Sequence, residues 1–273
     1  MTRFVIVPQW QGSPSARAMG LVDGAEAIAG DLPSSAVVRV AVPLEAGDAL
    51  GSRVHRLSAL ARVRGALDEL LGGIDERVLL VGGDCSVSVA GIAHAAARCE
   101  RLAVVWADAH PDLHTPDSSP SHAFSGMTLR AVLGDGPEPL RIRPGAVRPG
   151  DVVLVGVRAW DDAEAGYADG AGMRTVPAAA LPDPDAIADA VAATGADAVY
   201  VHVDVDVLEP GCMPGVKAAE PFGADLPALV AGLKRLRERV PLAGATIAEY
   251  VPADAGPDPA DLGTILRLVG ALA

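Results

Sequence analysis

Cysteine is scarce in this chain, which has only Cys85, Cys99 and Cys212 among its 273 residues. Their number and spacing do not predict the disulfide framework of a small secreted domain. The first ten residues, MTRFVIVPQW, lack the apolar segment of a secretory signal peptide. We therefore expect a cytoplasmic protein whose thiols are free.

Basic side chains and long apolar runs are also scarce. The chain has 22 Lys and Arg against 35 Asp and Glu, which gives a formal net charge of −13. This charge disfavours binding to nucleic acid or to an anionic membrane surface. No apolar run approaches the roughly 20 residues that a membrane-spanning helix needs. We expect neither of those partners, and a small, cationic substrate is the better prediction.

Short apolar runs rich in β-branched residues alternate with helical stretches, a rhythm typical of a parallel sheet covered by helices. The length fits one large α/β domain or two small ones, and we favour a single domain, 1–273. Strands are predicted at 4–7, 37–40, 78–81, 102–106, 152–157, 198–205 and 245–248. Helices are predicted at 54–72, 86–98, 126–133, 184–194, 225–238 and 259–271.

Two acidic clusters directly follow predicted strands. The segment 106–112 (WADAHPD) contains Asp108, His110 and Asp112, and Asp204 and Asp206 stand about ninety residues later. Ligands of such sheets bind beyond the carboxyl ends of the strands. Because these five side chains are mostly oxygen donors, they suit manganese or magnesium better than a closed zinc site.

A third segment, 82–86 (GGDCS), also lies between a predicted strand and a predicted helix. By itself it is a weak signal. Its glycines permit a tight turn, and Asp84 or Ser86 could simply cap the helix.

Taken together, these segments resemble the ureohydrolase superfamily, which includes arginase, agmatinase and formimidoylglutamase. The motifs of that family are Gly-Gly-Asp-His-Ser, Asp-Ala-His-x-Asp and Asp-x-Asp-x-x-Asp-Pro, followed by a late glutamate. The corresponding segments here are 82–86 (GGDCS), 108–112 (DAHPD), 204–210 (DVDVLEP) and Glu249. The resemblance covers about residues 78 to 252, in the family's order.

The resemblance implies a three-layer α/β/α fold with an eight-stranded parallel sheet and a site for two Mn²⁺ ions. By motif position, one ion would be held by Cys85, Asp108, Asp112 and Asp204, and the other by Asp108, His110, Asp204 and Asp206. Two divalent ions that share one water lower its pKa and generate hydroxide at neutral pH. In the family pattern Asp112 accepts a proton from it, and Glu249 pairs with the guanidinium group of the substrate.

Cys85 stands where the family has a histidine ligand. As a thiolate ligand it would favour softer metals, so zinc, iron or nickel stay open beside manganese. The alternative is an inert buried cysteine beside a weak or empty metal site.

A second departure is Ser125, which occupies the place of the histidine that shuttles a proton in arginases. A serine has no useful acidity near pH 7. His122 and His114 are possible substitutes, although each also fits a solvent-exposed loop histidine.

At the substrate's amino-acid end, the resemblance assigns Asp161 to the α-amino group and Ser121 to the α-carboxylate, while His114 and Ala123 replace asparagines. Asp161 also fits an ordinary helix N-cap. The family's Thr-Gly-Thr loop is replaced by residues 216–218 (VKA). His202, within a predicted strand, is interpreted as a packing residue.

These features predict a hydrolase of a guanidino amino acid. Within the superfamily they resemble the amidinohydrolases of D-cycloserine biosynthesis, which convert Nω-hydroxy-L-arginine to hydroxyurea and L-ornithine, with Ser125 contacting the added hydroxyl. An arginase, agmatinase or other guanidino-acid hydrolase, and an inactive ligand-binding pseudo-enzyme, stay open as alternatives. We expect a monomer rather than the family's trimer or hexamer, because no extension follows the last predicted helix.

Overall fold

The apolar runs of the sequence form eight short strands of one sheet. The computed structural model describes residues 2–213, 215–216, 218–253 and 256–273. Lys217, part of the predicted loop replacement, lies outside the described residues. The strands are β1 (Thr2–Val7), β2 (Val37–Arg39), β3 (Arg77–Gly82), β4 (Leu102–Ala107), β5 (Val152–Val155), β6 (Arg174–Val176), β7 (Ala198–Asp204) and β8 (Leu242–Ala248).

All strand pairs in this sheet are parallel, and the strand order is β2-β1-β3-β8-β7-β4-β5-β6. Every residue of β4, β5 and β7 is buried. Continuous burial is expected because helices cover both faces of a parallel sheet. The eight-stranded sheet expected from the sequence resemblance is therefore confirmed.

The helices are α1 (Gly20–Gly30), α2 (Leu57–Gly72), α3 (Ser88–Ala96), α4 (Thr128–Val132), α5 (Asp162–Gly170), α6 (Ala186–Ala192), α7 (Leu226–Arg239) and α8 (Pro259–Leu272). Helices α1, α6, α7 and α8 pack together, and α2, α3 and α4 form a second group. These groups and the sheet make the three layers. No helix within the described ranges is long and apolar enough to cross a membrane.

Helices α7 and α8 begin with the same local chemistry. The Asp225 side chain accepts a hydrogen bond from the Ala228 amide at 3.3 Å, and Asp258 accepts one from the Ala260 amide at 2.8 Å. Each helix has a proline in its first turn. An aspartate cap satisfies an amide that lacks a partner inside the helix, and proline lacks that amide donor altogether.

Three elements were not predicted from the sequence. Strand β6 has only three residues at the sheet edge, too few for a clear apolar pattern. Helix α5 carries few apolar residues, and α1 contains Gly24, which weakens a helical pattern. A Cβ atom at Gly24 would lie 2.0 Å from the Tyr250 carbonyl oxygen, so this close approach of helix and loop requires glycine.

Four neighbouring strands in the middle of the sheet, β3, β8, β7 and β4, end at the same edge. The predicted motifs follow these four strands. The fold therefore gathers segments that are far apart in sequence at one place.

Candidate metal centre

The candidate site lies at the carboxyl ends of these central strands. Asp204 is the last residue of β7, Asp108 directly follows β4, and Glu249 directly follows β8. Cys85 opens a 3₁₀ turn, Cys85–Val87, just after β3. Because the strands are parallel and adjacent, their order alone brings these four side chains together.

The loop after β4 is folded tightly around Asp108, whose residue is 1% exposed. Its Oδ1 accepts a hydrogen bond from the His110 amide at 2.6 Å, and its Oδ2 accepts one from Trp106 Nε1 at 3.1 Å. The His110 ring turns back over the site, with Nδ1 3.0 Å from Asp206 Oδ2 and 3.5 Å from Asp108 Oδ1. The alternating Asp-x-His pattern thus places carboxylate and imidazole side by side.

The two aspartates after β7 are held by backbone amides. Asp204 Oδ1 accepts a hydrogen bond from the Asp206 amide at 2.8 Å and so caps a 3₁₀ turn, Val205–Val207. Asp206 Oδ1 accepts one from the Ala109 amide at 2.9 Å, which ties this turn to the loop after β4. Each carboxylate therefore has one oxygen fixed by an amide and the other directed toward a neighbouring side chain.

Cys85 lies in the same cluster. Its Sγ is 3.1 Å from Asp204 Oδ2, and its backbone amide donates to Glu249 Oε1 at 3.2 Å. Burial raises the pKa of the Cys85 thiol well above its ordinary value, and the nearby carboxylates, Asp204 first, raise it further. Without a cation, this sulfur is a neutral donor to Asp204.

Asp84 does not join the cluster. It caps the 3₁₀ turn Cys85–Val87, whereas no described side chain caps the helix α3 that follows. Its carboxylate accepts hydrogen bonds from the Ser86 amide at 3.0 Å and the Gly12 amide at 2.8 Å. The preceding Gly83 is required for a different reason, since a Cβ atom there would lie 1.6 Å from the Gln9 carbonyl oxygen. The Gly-Gly-Asp segment therefore fastens the loop after β1 beside the site.

Asp112 and Glu249 adopt left-handed backbone conformations, with φ of 51° and 67°. Such angles are uncommon outside glycine, and strained residues of this kind concentrate at functional sites. Asp112 Oδ2 is buried and, among the described residues, has no hydrogen-bond partner. A buried carboxylate oxygen without a donor is a good fit to a metal ion.

The electrostatics of the cluster also call for a cation. Burial raises the pKa of Asp204 and of Asp112 well above the ordinary value, and neighbouring aspartates add to this. Burial and Asp108 raise the pKa of Asp206 to about 6. Burial opposes ionisation of Asp108 and of His110. The imidazoles of His110 and His202 nevertheless hold the pKa of Asp108 below its usual range, and Asp108 and Asp206 raise the pKa of His110 to about 12.

The cluster forms the floor of a cavity of about 340 Å³. Five of the six predicted metal ligands line it together with Glu249, namely Cys85, His110, Asp112, Asp204 and Asp206. Asp108 is not among the described residues that line it. Ligand atoms within 4.8 Å of one another occur in the groups Cys85, Asp204, Glu249 and Asp108, His110, Asp206. This oxygen-rich donor set fits a pair of divalent ions.

Three of the residues predicted to bind substrate, Ser121, Ser125 and His114, line the same cavity. Asp161 is not among the described residues that line it. Its Oδ1 caps α5 by accepting the Glu164 amide at 2.9 Å, and its Oδ2 is 2.8 Å from His114 Nε2. The N-cap reading of Asp161 is confirmed, and its contact with a substrate amino group stays a prediction.

Glu164 was not predicted, although it lines the cavity and is buried. Its Oε1 accepts a hydrogen bond from the Leu113 amide at 2.9 Å, and its Oε2 is 3.6 Å from His114 Nε2. Burial raises its pKa. The spacing Asp161-x-x-Glu164, which is the pattern of a helix capping box, was the available signal.

Ser13 and Ser15 also line the cavity without having been predicted. They lie in the loop after β1, where no chemical pattern in the sequence marks them. His122 was considered as a substitute proton donor, but it is not among the described residues that line the cavity. Its ring instead makes an edge contact with His55, with centroids 5.8 Å apart. His114 does line the cavity, and the interpretation of it as a solvent-exposed loop histidine is wrong because the residue is buried.

Comparison with known proteins identifies the family. The model of the arginase family matches residues 27–264. The arginase of Bacillus caldovelox is 33% identical over 68% of this chain and 64% of its own length, and that of Bacillus subtilis strain 168 is 34% identical over 50% of this chain and 49% of its own. The match thus spans less than two thirds of these curated relatives.

A solved structure agrees in fold across the whole length. The arginase of Entamoeba histolytica, in complex with L-ornithine, superposes with a TM-score of 0.87 at 21% identity, covering 99% of this chain and 97% of its own. Because the family model matches most of the chain, and the strand-end acids of the family motifs meet at one site, this chain belongs to the arginase family.

Proposed function

We propose that this chain is a metal-dependent hydrolase that cleaves a guanidino C–N bond. The observation that carries the proposal is the meeting of the acidic motifs, Cys85 and Glu249 on the floor of one cavity. Membership of the arginase family supports it, since members of this family are amidinohydrolases with a binuclear divalent metal centre, typically Mn²⁺.

Two divalent ions are proposed at the cluster. One would be held by Cys85, Asp108, Asp112 and Asp204, and the other by Asp108, His110, Asp204 and Asp206. Bound ions supply Lewis acidity and lower the pKa of a shared water. Mn²⁺ is the family's metal, while the Cys85 sulfur favours a softer ion at the first position.

The chain's own residues have distinct tasks in this proposal. Asp112, with its left-handed backbone and orphaned oxygen, accepts the proton of the attacking water. Glu249 lies beside Cys85 at the cavity floor and pairs with the planar cationic guanidinium, which a carboxylate recognises through two parallel hydrogen bonds. The presence of both carboxylates, Asp112 and Glu249, argues against an inactive pseudo-enzyme.

The outer part of the cavity suits an α-amino acid. Glu164 lines the cavity and offers negative charge to a substrate amino group, and the His114–Asp161 pair lies beside it. Ser121, Ser13 and Ser15 offer hydroxyl donors near a carboxylate. Agmatine has no carboxylate to accept hydrogen bonds from these hydroxyls.

For the substrate itself we propose Nω-hydroxy-L-arginine, with hydroxyurea and L-ornithine as products. Ser125 lines the cavity where arginases carry the proton-shuttle histidine, and the two cavity histidines are both paired with carboxylates. N-hydroxylation lowers the basicity of the guanidine, so a larger neutral fraction of the substrate is open to attack by hydroxide. Arginine is the second candidate, because the curated relatives are arginases. A role in D-cycloserine biosynthesis stays a prediction.

Three further expectations accompany this proposal. A single domain over 1–273 agrees with the one sheet of the described residues. A cytoplasmic location and a monomeric state stay predictions, and size-exclusion chromatography with light scattering tests the latter.

The proposal is tested by loading the protein with Mn²⁺ and offering arginine, Nω-hydroxy-L-arginine and agmatine separately. Mass spectrometry identifies the products. We expect L-ornithine and hydroxyurea from the hydroxylated substrate, at a higher kcat/KM than for arginine. A clear preference for plain arginine would overturn the substrate assignment, and a lack of product from all three would overturn the hydrolase.

The ligand role of Cys85 has its own test. Cys85→His should keep two ions per chain, whereas Cys85→Ala should lose one. Cys99→Ala is the matched control, because Cys99 is half-buried and is absent from the metal-ligand groups of the described residues. Unchanged metal content in Cys85→Ala would refute the ligand role.

A further inference from the structure

His202, on strand β7, has a ring nitrogen that the fold leaves unused. The residue is fully buried, and its ring stacks on Trp106 of β4 with centroids 3.7 Å apart. Its Nδ1 is 2.7 Å from Ser88 Oγ. Its Nε2 is buried and has no hydrogen-bond partner among the described residues.

Stacking on Trp106 does not explain the choice of imidazole at this position. An unpaired buried polar group destabilises the folded state, and a phenylalanine would stack on Trp106 without such a group. Native proteins keep few such groups, and the exceptions often await an ion or have a catalytic role. The orphaned nitrogen therefore points to a missing partner.

The surroundings of Nε2 indicate what that partner is. It lies 3.8 Å from Asp108 Oδ2, and ligand atoms of Cys85, Asp108 and His202 all lie within 4.8 Å of one another. All three residues are buried. Bonds of about 2.0–2.3 Å from one ion to nitrogen, oxygen and sulfur leave the ligand atoms about 3–4 Å apart. The 3.8 Å between Nε2 and Asp108 Oδ2 lies in this range.

Ser88 can accept from Nδ1 and so is compatible with the tautomer that such a ligand needs. When Nδ1 donates its proton to Ser88 Oγ, the lone pair of Nε2 points toward Cys85 and Asp108. Histidine ligands of metals are oriented in this way by a hydrogen bond on the other ring nitrogen. The first residue of α3 thereby holds the ring in place beside Asp108.

We infer that His202 is a nitrogen ligand of the ion held by Cys85 and Asp108, and that it replaces the histidine missing from segment 82–86. The inference rests on the proposed metal centre and extends it. The imidazole has moved from the loop after β3 to strand β7, two strands away in the sheet. A sulfur, nitrogen and carboxylate set suits Zn²⁺, Fe²⁺ or Co²⁺ better than Mn²⁺ at this position.

The test compares metal binding by wild type, His202→Leu, His202→Gln and Ser88→Ala, each titrated with Zn²⁺ and with Co²⁺. His122→Asn is the matched control, since its Nδ1 is also buried without a partner in the described residues and lies outside the metal-ligand groups. Circular dichroism and thermal unfolding of the metal-free variants establish that each one folds.

We expect both His202 variants to bind one ion fewer, or to bind the Cys85-side ion more than about 100-fold more weakly. Loss of a group that only orients a ligand costs about 10–100-fold, which is the result expected for Ser88→Ala. In Co²⁺-loaded wild type, proton NMR should show two strongly shifted, exchangeable imidazole N–H signals, from His110 and His202. One of them should vanish in the His202 variants.

The outcomes separate the inference from the proposed function. If wild type binds two ions and His202→Leu loses less than about 100-fold in affinity, or keeps both shifted signals, the ligand role is refuted while the hydrolase stands. If folded wild type binds no ion, the proposed metal centre itself fails. His122→Asn should bind as wild type does, and a loss there equal to that of His202→Leu would also refute the specific role.

Discussion

Arg158 is expected to hold the loops after β5 and β7 together, and its replacement should destabilise the protein strongly. Its guanidinium donates to the carbonyl oxygens of Asp206 at 2.8 Å, Gly156 at 2.9 Å, Glu220 at 2.9 Å and Pro221 at 3.0 Å. One side chain thus connects the turn that bears Asp206 with two other chain segments. The perturbation is Arg158→Ala.

The magnitude follows from these bonds. A hydrogen bond contributes about 1 kcal/mol net, and more when one partner is charged, so four of them in this half-buried position give a loss of about 4 kcal/mol. In a protein of this size, each kcal/mol lowers the melting temperature by about 2–4 °C. We expect the melting temperature to fall by about 8–16 °C, and the affinity for the ion beside His110 and Asp206 to weaken.

The assay is thermal unfolding followed by circular dichroism, on metal-free and metal-loaded protein, together with metal titration. Arg158→Lys should lose about half as much stability, because an ammonium group cannot reach all four carbonyls at once. Arg53→Ala is the surface control. Arg53 pairs with Asp117 at 3.0 Å, but their side chains are 65% and 86% exposed, and such pairs contribute about 0–1 kcal/mol.

The reasoning is refuted if Arg158→Ala unfolds within about 3 °C of wild type, or if Arg53→Ala loses as much stability. Unchanged metal affinity in a clearly destabilised Arg158→Ala would contradict the link between this arginine and the position of Asp206.

Three other predictions follow from the site. Glu249→Gln should lower kcat/KM about 10–100-fold, because one charge-assisted hydrogen bond to the substrate is lost. A change of less than twofold in steady-state kinetics would exclude the guanidinium contact. Asp112→Asn should lower kcat about 100-fold or more, the usual contribution of a general base, as single-turnover kinetics can verify. The free energy of unfolding of the metal-free protein should fall as pH rises from about 4 to about 6. The pKa of Asp206 is about 6 in the folded state, which exceeds its unfolded value, so the folded state holds a proton in this range that the unfolded state has released. Urea unfolding should show a flatter pH profile for Asp206→Asn, and parallel profiles would contradict this.

The sheet and the acidic part of the site were predictable because they depend on local sequence. Apolar β-branched runs indicated seven of the eight strands, and the acids after them marked the carboxyl edge. Parallel pairing of β4 and β7 then brings Asp108 and Asp204 together, independently of the conformation of the loops. Strand β6 escaped prediction because a three-residue edge strand carries too little pattern.

The remaining parts of the site depend on three-dimensional packing. Asp161 matched a substrate-binding position, yet one of its oxygens caps α5 and the other meets His114. Glu164 faces the cavity because helix α5 begins at Asp162, and the sequence does not mark that start clearly. The strand of His202 was predictable, but its unpartnered Nε2 becomes visible only when Ser88 and Trp106 are seen around the ring.

The central claim is that this chain uses a pair of divalent ions to hydrolyse a guanidino C–N bond. The most direct measurement is the release of L-ornithine from Nω-hydroxy-L-arginine by protein of known metal content, before and after chelation. We predict release by protein that holds two ions per chain, its loss on chelation and its return when metal is restored. Folded protein that carries two ions and releases no ornithine, either from this substrate or from arginine, would contradict the account.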